Sequence, residues 1–124
     1  ILEVNLLAPF KVATAFRDHI AASRMRLLVM MSSGLASIHD NTGHSYAYRS
    51  SKAGLNMIAK GMAAEWPDIT VIAMAPGWCK TDLGGADAPI DPADSVRDQQ
   101  RTFASLTAAD SGRFIDMHGQ TVPW

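Results

Sequence analysis

The sequence has little or none of several features that mark other classes of protein. Its 124 residues contain one cysteine, Cys79, so no internal disulfide can form and a reducing, cytoplasmic setting fits. A net charge of −1 offers no attractive field to nucleic acid or to an anionic membrane surface. No secretory leader or membrane-length apolar run is recognisable, and the four histidines show no metal-ligand spacing. We therefore expect a cytoplasmic globular protein without a metal site.

Apolar patterning predicts one α/β domain over residues 1–124. Stripes at helical period predict three helices: Ile1 to about Ser23, the Tyr48 region to Glu65 or Trp66, and Pro92 to Leu106. Short apolar runs predict three strands: Leu27 to Met31, Ile69 to Ala75 and Arg113 to Met117. The run "LLVMM" has no polar alternation, which is typical of a strand covered on both faces. Helices alternating with such strands predict a parallel sheet flanked by helices.

Tyr48 and Lys52 stand one helical turn apart at the start of the second predicted helix. At 100° per residue both lie on the stripe that continues as Leu55, Ala59 and Met62, the predicted inward face. An ammonium beside a phenol favours the phenolate, so such a pair can exchange a proton with a substrate oxygen near neutral pH. The structural alternative is a tyrosine that caps the core while the lysine reaches out to water.

Three further features place polar groups near the ends of the predicted strands. Ser32 and Ser33 follow the first strand, and Pro76-Gly77 follows the second. Ligand chemistry in open α/β sheets is found at the carboxyl ends of strands. In the first helix, Pro9 has no N–H to donate to the Asn5 carbonyl, which leaves that carbonyl free for water or another donor. Each feature alone has a structural explanation as a turn or a kink, but together they indicate a catalytic site.

These segments resemble the short-chain dehydrogenase/reductase family. The resemblance spans the chain and is carried by "VNLLAPFKVATAF", "VMMSSGLASI", "YAYRSSKAGLNMIAKGMAAE" and "VIAMAPGWCKTDLGG". The loop "IHDNTGHSYAYRSSKAGLN" and the ending "ADSGRFIDMHGQTVPW" are most similar to the C-factor/sniffer-like carbonyl reductases of that family. The resemblance implies a Rossmann-like sheet, here a partial one of about three strands.

The resemblance also implies catalytic roles. Tyr48 would be the general acid/base, and Lys52 would assist it and bind the nicotinamide ribose. Ser33 would polarise the substrate carbonyl, with Ser32 as the alternative. Asn5 matches the helix asparagine whose backbone carbonyl holds a proton-relay water. The implied reaction is hydride transfer between NAD(P)H and a carbonyl.

The implied cofactor is NADP or NAD, and only part of its site is recognisable. Pro76, Gly77 and Thr81 match the loop that packs on nicotinamide and pyrophosphate. The family's Gly-x-x-x-Gly-x-Gly turn is missing, and so is the residue that selects between the two cofactors. We therefore expect the chain to represent the C-terminal, catalytic half of the fold, with weak or no cofactor binding and activity alone. The alternative is a non-enzymatic interaction or signalling module derived from such an enzyme.

Two surfaces predict a homo-oligomer. The outer face of the Tyr48 helix carries Ala53, Met57 and Ala64, flanked by Gly54 and Gly61, where a solvated face should be charged. The strand Leu27 to Met31 would present an apolar edge that invites pairing with another chain. A missing N-terminal half is the alternative partner for that edge.

Overall fold

The computed structural model describes all 124 residues as three α-helices around a three-stranded sheet. The helices are α1 (Ala8–Ala22), α2 (Tyr46–Glu65) and α3 (Pro92–Ser105), and the strands are β1 (Leu27–Met31), β2 (Thr70–Ala75) and β3 (Phe114–Asp116). A π-helical turn, Glu3–Leu7, leads into α1, and short 3₁₀ turns occupy Gly34–Ala36 and Ala108–Asp110. The predicted order and type of every element are confirmed.

The sheet is parallel throughout, with strand order β1-β2-β3. Leu27 pairs with Thr70 and Met31 pairs with Met74, so the two longer strands end at the same level. Alternate residues of each strand enter two hydrophobic clusters, as the two-residue period of a strand requires. The larger cluster lies under α1 and α2, and the smaller one lies under α3.

Strand β1 is less covered than its apolar sequence predicts. Met30 is buried, but Leu27, Leu28 and Val29 are half-buried and Met31 is 41% exposed. The physical reason is its place in the sheet, because β2 is its only neighbour and α3 packs chiefly against β2 and β3. The prediction of a strand covered on both faces is therefore wrong, whereas the predicted bare edge is present.

The first predicted helix begins as a π-helical turn, in which the Ala8 N–H donates to the Glu3 carbonyl five residues back. Asn5 is the central residue of this turn, and Pro9 follows it near the start of α1. Proline cannot donate to the carbonyl four residues back, so a departure from α-helical bonding is expected here. Single π-turns often occur at functional sites, and this one lies beside α2.

Less of the outer face of α2 is exposed to solvent than predicted. Met57 is 74% exposed, and Gly61 and Ala64 are open to solvent. Gly54, in contrast, lies against Leu6, whose side-chain carbons would be 3.1 Å from a Cβ at this position. The π-turn therefore covers the first part of the face, and its exposed part begins at Met57.

Two absences complete the description of the fold. None of the helices combines the length and the hydrophobicity needed to cross a membrane. No group of three or more His, Cys, Asp or Glu side chains is placed to hold a metal ion.

Candidate active site

The strand ends bring two of the predicted segments together at one edge of the sheet. The Ser32 N–H donates to the Met74 carbonyl at 2.7 Å, which extends the β1–β2 pairing by one residue. Ser33 therefore leaves the sheet beside Pro76 and Gly77, which follow β2. This is the carboxyl edge where parallel sheets carry ligand chemistry.

Lys52 connects α2 to this edge. Its ammonium donates to the Met31 carbonyl at 2.9 Å and lies 6.0 Å from the centroid of the Tyr48 ring. Both side chains are half-buried, as expected for groups at the mouth of a site. Burial of the ammonium lowers the pKa of Lys52 below its ordinary value of 10.5. The structure thus places the lysine beside the phenol and fixes it against the end of β1.

The two serines differ in what their hydroxyls can do. Ser33 is half-buried, and its oxygen accepts a hydrogen bond from the Leu35 N–H at 3.1 Å as the cap of the 3₁₀ turn. Since that bond uses the oxygen as an acceptor, the hydroxyl hydrogen stays available for another acceptor. Ser32 is only 4% exposed, and its hydroxyl has no hydrogen-bond partner.

Asn5 reaches the same region through a side-chain relay. Its Nδ2 donates to Ser51 Oγ at 3.1 Å, and the Ser51 hydroxyl donates to the Tyr48 carbonyl at 2.7 Å. Ser51 is fully buried, so this relay joins the π-turn to the first turn of α2 out of contact with water. Asn5 and Lys52 also line one groove of about 320 Å³ between α1 and the free edge of β1.

The loop after β2 is held from α3 and by its own turn. Ser95, a buried residue of α3, donates its hydroxyl to the Pro76 carbonyl at 2.6 Å. Gly77 has a positive φ of 87°, which favours glycine, and a Cβ there would lie 2.6 Å from the end of the Ile90 side chain, which would have to move. Thr81 accepts a hydrogen bond from the Gly84 N–H at 3.0 Å and is exposed.

The site residues predicted from the sequence do not include the buried polar residues that support them. Arg49, Ser51 and Ser95 are all at least nine-tenths buried and hydrogen-bonded to the backbone around the site. Ser51 and Ser95 are small polar residues in helices, and nothing in their spacing separates them from solvated positions. Arg49 does stand out in one respect, because it adjoins Tyr48 in a helix turn that carries no acidic residue.

Comparison with known proteins agrees with this arrangement. Residues 1–89 match the family model described as short chain dehydrogenase. These residues include β1, α2, β2 and the loop after it, and hence every predicted site residue.

The similar proteins include C-signal and several carbonyl reductases. The chain is 39% identical to C-signal of Myxococcus xanthus over 125 residues, which is 98% of this chain and 75% of that protein. The carbonyl reductase Sniffer of D. melanogaster superposes with a TM-score of 0.92 at 32% identity, covering 99% of this chain and 55% of that one. An NADPH-bound carbonyl reductase from chicken fatty liver also gives 0.92, at 28% identity, over 100% and 56%. The chain thus spans little more than half of these reductases, and it belongs to the short-chain dehydrogenase family.

Proposed function

We propose that this chain carries the catalytic site of a nicotinamide-dependent carbonyl reductase, which interconverts a ketone or aldehyde and its alcohol. The observation that carries the proposal is the Tyr48–Lys52 pair, with the lysine ammonium fixed 2.9 Å from the Met31 carbonyl at the carboxyl edge of the sheet. The likeness to two carbonyl reductases supports the same conclusion.

Tyr48 is the general acid/base of the proposed reaction. In reduction its hydroxyl gives a proton to the carbonyl oxygen as that oxygen becomes an alcohol, and in oxidation the proton returns. Negative charge is left on the phenol oxygen after the transfer. The Lys52 ammonium, beside the same ring, stabilises that charge because the site is partly shielded from water.

Ser33 is the better candidate for polarising the carbonyl. Its hydroxyl hydrogen is free, and its oxygen is fixed by the Leu35 N–H. A preoriented donor of this kind stabilises charge that develops on a substrate oxygen. Ser32 is less accessible, which supports the choice between the two. The Asn5 backbone carbonyl, beside Lys52 in the groove, is proposed to hold the water that relays the proton to bulk solvent.

The residues present fit the nicotinamide end of a cofactor. The Lys52 ammonium has three donors and uses one on Met31, which leaves two for the hydroxyls of a ribose. Gly77 lets the backbone come close to a flat ring, and the Pro76 carbonyl beside it is already fixed by Ser95. Thr81, in the exposed turn that follows, is proposed to contact the pyrophosphate. When bound, the cofactor supplies the hydride.

A second candidate function is that of an interaction or signalling module. The observation in its favour is the 39% identity to C-signal over nearly the whole chain. In this case the residues shared with the family form a binding surface for another protein and do not catalyse a reaction. The proposed surface is the free edge of β1, which offers backbone groups to another polypeptide.

Titration with NADPH and NADH separates the two candidates. An enzyme should bind one of them in the micromolar range that is common for substrates of enzymes. Quenching of the tryptophan fluorescence, or calorimetry, measures this directly. A dissociation constant in the millimolar range, or no binding, would favour the interaction or signalling module.

The Tyr48 hydroxyl is tested with a matched pair of substitutions. With an intact companion half or cofactor supplied, Tyr48→Phe should lower the rate of reduction of a small aromatic aldehyde with NADPH at least about a hundredfold, since it removes the proton donor and little else. Tyr46→Phe, two residues away at a 74% exposed position, should leave the rate within about twofold. Equal rates in the two variants would refute the role of Tyr48.

The partly buried Lys52 predicts a pH dependence of stability. Because its pKa in the folded chain lies below 10.5, the unfolded chain keeps a proton that the folded chain has lost between the two pKa values. The contribution of Lys52 to the free energy of unfolding therefore rises with pH in that window. Denaturant unfolding should show the free energy of unfolding of wild type, minus that of Lys52→Met, increasing as the pH rises towards 10.5.

Lys80→Met is the control for this measurement, because Lys80 is exposed on the loop after β2. Its difference from wild type should stay flat over the same range. A flat or falling difference for Lys52→Met would contradict the assigned burial of the ammonium.

The proposed state in solution is a homodimer. The exposed part of the outer face of α2 combines Met57 with small residues, which suits close packing against a second helix. Closed two-fold assembly is the commonest way in which such a surface is covered. The free edge of β1 is the alternative dimer interface.

Substitution at Met57 distinguishes the two interfaces. Light scattering at micromolar concentration should give the mass of a dimer for wild type and of a monomer for Met57→Glu, since a carboxylate cannot be buried unpaired at the interface. Met25→Glu, at a 55% exposed position outside α2, is the control and should leave the dimer intact. A Met57→Glu variant that stays dimeric would place the contact at the β1 edge, and a monomeric wild type would refute the proposal.

A further inference from the structure

Arg49 is the most buried charged residue of the chain and has no acidic partner. It is 6% exposed, and none of the ion pairs in the structure includes it. A buried charge destabilises a fold unless hydrogen bonds compensate for the lost hydration. Arg49 must therefore be held by the groups that surround it.

Those groups all belong to the segment that joins β1 to α2, residues 32–45. Arg49 Nε donates to the His44 carbonyl at 3.0 Å, Nη1 donates to the Leu35 carbonyl at 3.4 Å, and Nη2 donates to Thr42 Oγ1 at 3.4 Å. Leu35 lies two residues after Ser33, and His44 lies four residues before Tyr48. One planar guanidinium thus bridges both arms of the segment, which its fixed fork of donors allows and a lysine ammonium does not.

The arm that leads into α2 needs such a bridge. Gly43, His44 and Ser45 all have positive φ, of 92°, 51° and 54°. Left-handed backbone is unfavourable for the latter two residues and persists only where neighbouring structure fixes it. The Ser45 side chain provides no cap for α2, so the Arg49 bonds to this arm act where the usual local device is missing.

The rest of the segment has little core to hold it. From Ile38 to Thr42 every residue is exposed, and Ile38 is 75% exposed. Only Ser32, Ala36 and Ser37 are buried, and all three lie on the Ser33 arm. The guanidinium is the buried group that is hydrogen-bonded to both the arm that carries Ser33 and the arm that ends at Tyr48. The Ser33 arm is also held by the Trp124 carbonyl, which accepts hydrogen bonds from Ser37 and His39.

We propose that Arg49 is a positioning residue, whose guanidinium fixes residues 34–45 and thereby sets the Ser33 and Tyr48 hydroxyls in their working arrangement. Its effect on turnover rests on the proposed reductase function, but its effect on the segment does not. Arg49 touches no reacting atom, and it acts through the backbone on both sides of the site.

Hydrogen exchange tests the proposal without any need for activity. The amides of Ala36, Ser37, His39 and Asp40 are all hydrogen-bonded within the structure and should be slow to exchange in wild type. In Arg49→Ala they should exchange at least about tenfold faster, while the β2 amides keep their rates, because only local opening is affected. Arg97→Ala removes an exposed arginine of α3 and should change neither set.

Chemical rescue of Arg49→Ala distinguishes hydrogen bonding by the guanidinium from simple filling of space by the Arg49 side chain. Millimolar ethylguanidinium should restore slow exchange in Arg49→Ala and do nothing to Arg97→Ala. Arg49→Lys keeps the charge and most of the volume, so it should fold even if the alanine variant does not, yet its segment should still exchange faster than in wild type. Wild-type exchange in Arg49→Lys, or no change in either Arg49 variant, would overturn the proposal.

Kinetics supply the functional readout. With NADPH and a small aromatic aldehyde, Arg49→Lys should raise the aldehyde KM and lower kcat, each by about tenfold, with the NADPH KM within about twofold of wild type. A rise in the NADPH KM alone would contradict the assigned role. A wild-type chain that does not turn over would refute the proposed reductase function, and the exchange pattern would still decide the role of Arg49.

Discussion

Parallel pairing of β1 with β2 is the constraint on which the site depends. The register that sets Met31 opposite Met74 brings both strands to an end at the same level. Everything that follows the two strands, Ser33 on one side and Gly77 on the other, must then emerge at one edge. A shift of a single residue would reverse which side chains of β1 face α1 and α2. It would also move the Met31 carbonyl away from the Lys52 ammonium.

One turn of helix α2 supplies the side chains that make this edge of the sheet a candidate active site. Residues 48 and 49 differ by 100° around the helix axis, so the Tyr48 ring lies beside Lys52 while Arg49 turns into the neighbouring segment. Ser51 and Lys52 complete the turn, one bonded towards Asn5 and the other towards the end of β1. Acid, cation and supports thus come from four of the five residues 48–52, whose directions are fixed by helical geometry. The N-terminal turn of a helix frays most easily, and here tertiary hydrogen bonds replace a side-chain cap.

The helices, the strands and the candidate site residues could be predicted because they leave periodic or local signals in the sequence. Apolar runs indicated the strands to within one residue at each end, and the Tyr-x-x-x-Lys spacing indicated a shared helical face. Exposure of β1 was missed because an apolar run shows that a strand can be buried, not that a neighbour is present to bury it. The role of Gly54 was missed for a similar reason, since its contact with Leu6 depends on how the π-turn crosses α2.

The buried polar residues mark the limit of such prediction. Asn56 is 3% exposed, and neither atom of its amide has a partner, although its sequence position reads as an ordinary helix residue. An unpaired buried amide costs roughly 1–3 kcal/mol of stability, and the same range applies to the unpaired Ser32 hydroxyl. Arg49 shows the contrary case, a buried charge with all three of its donor groups bonded. Hydrogen bonding of this kind depends on how the segments pack against one another, so only the folded chain reveals which buried polar groups have partners and which do not.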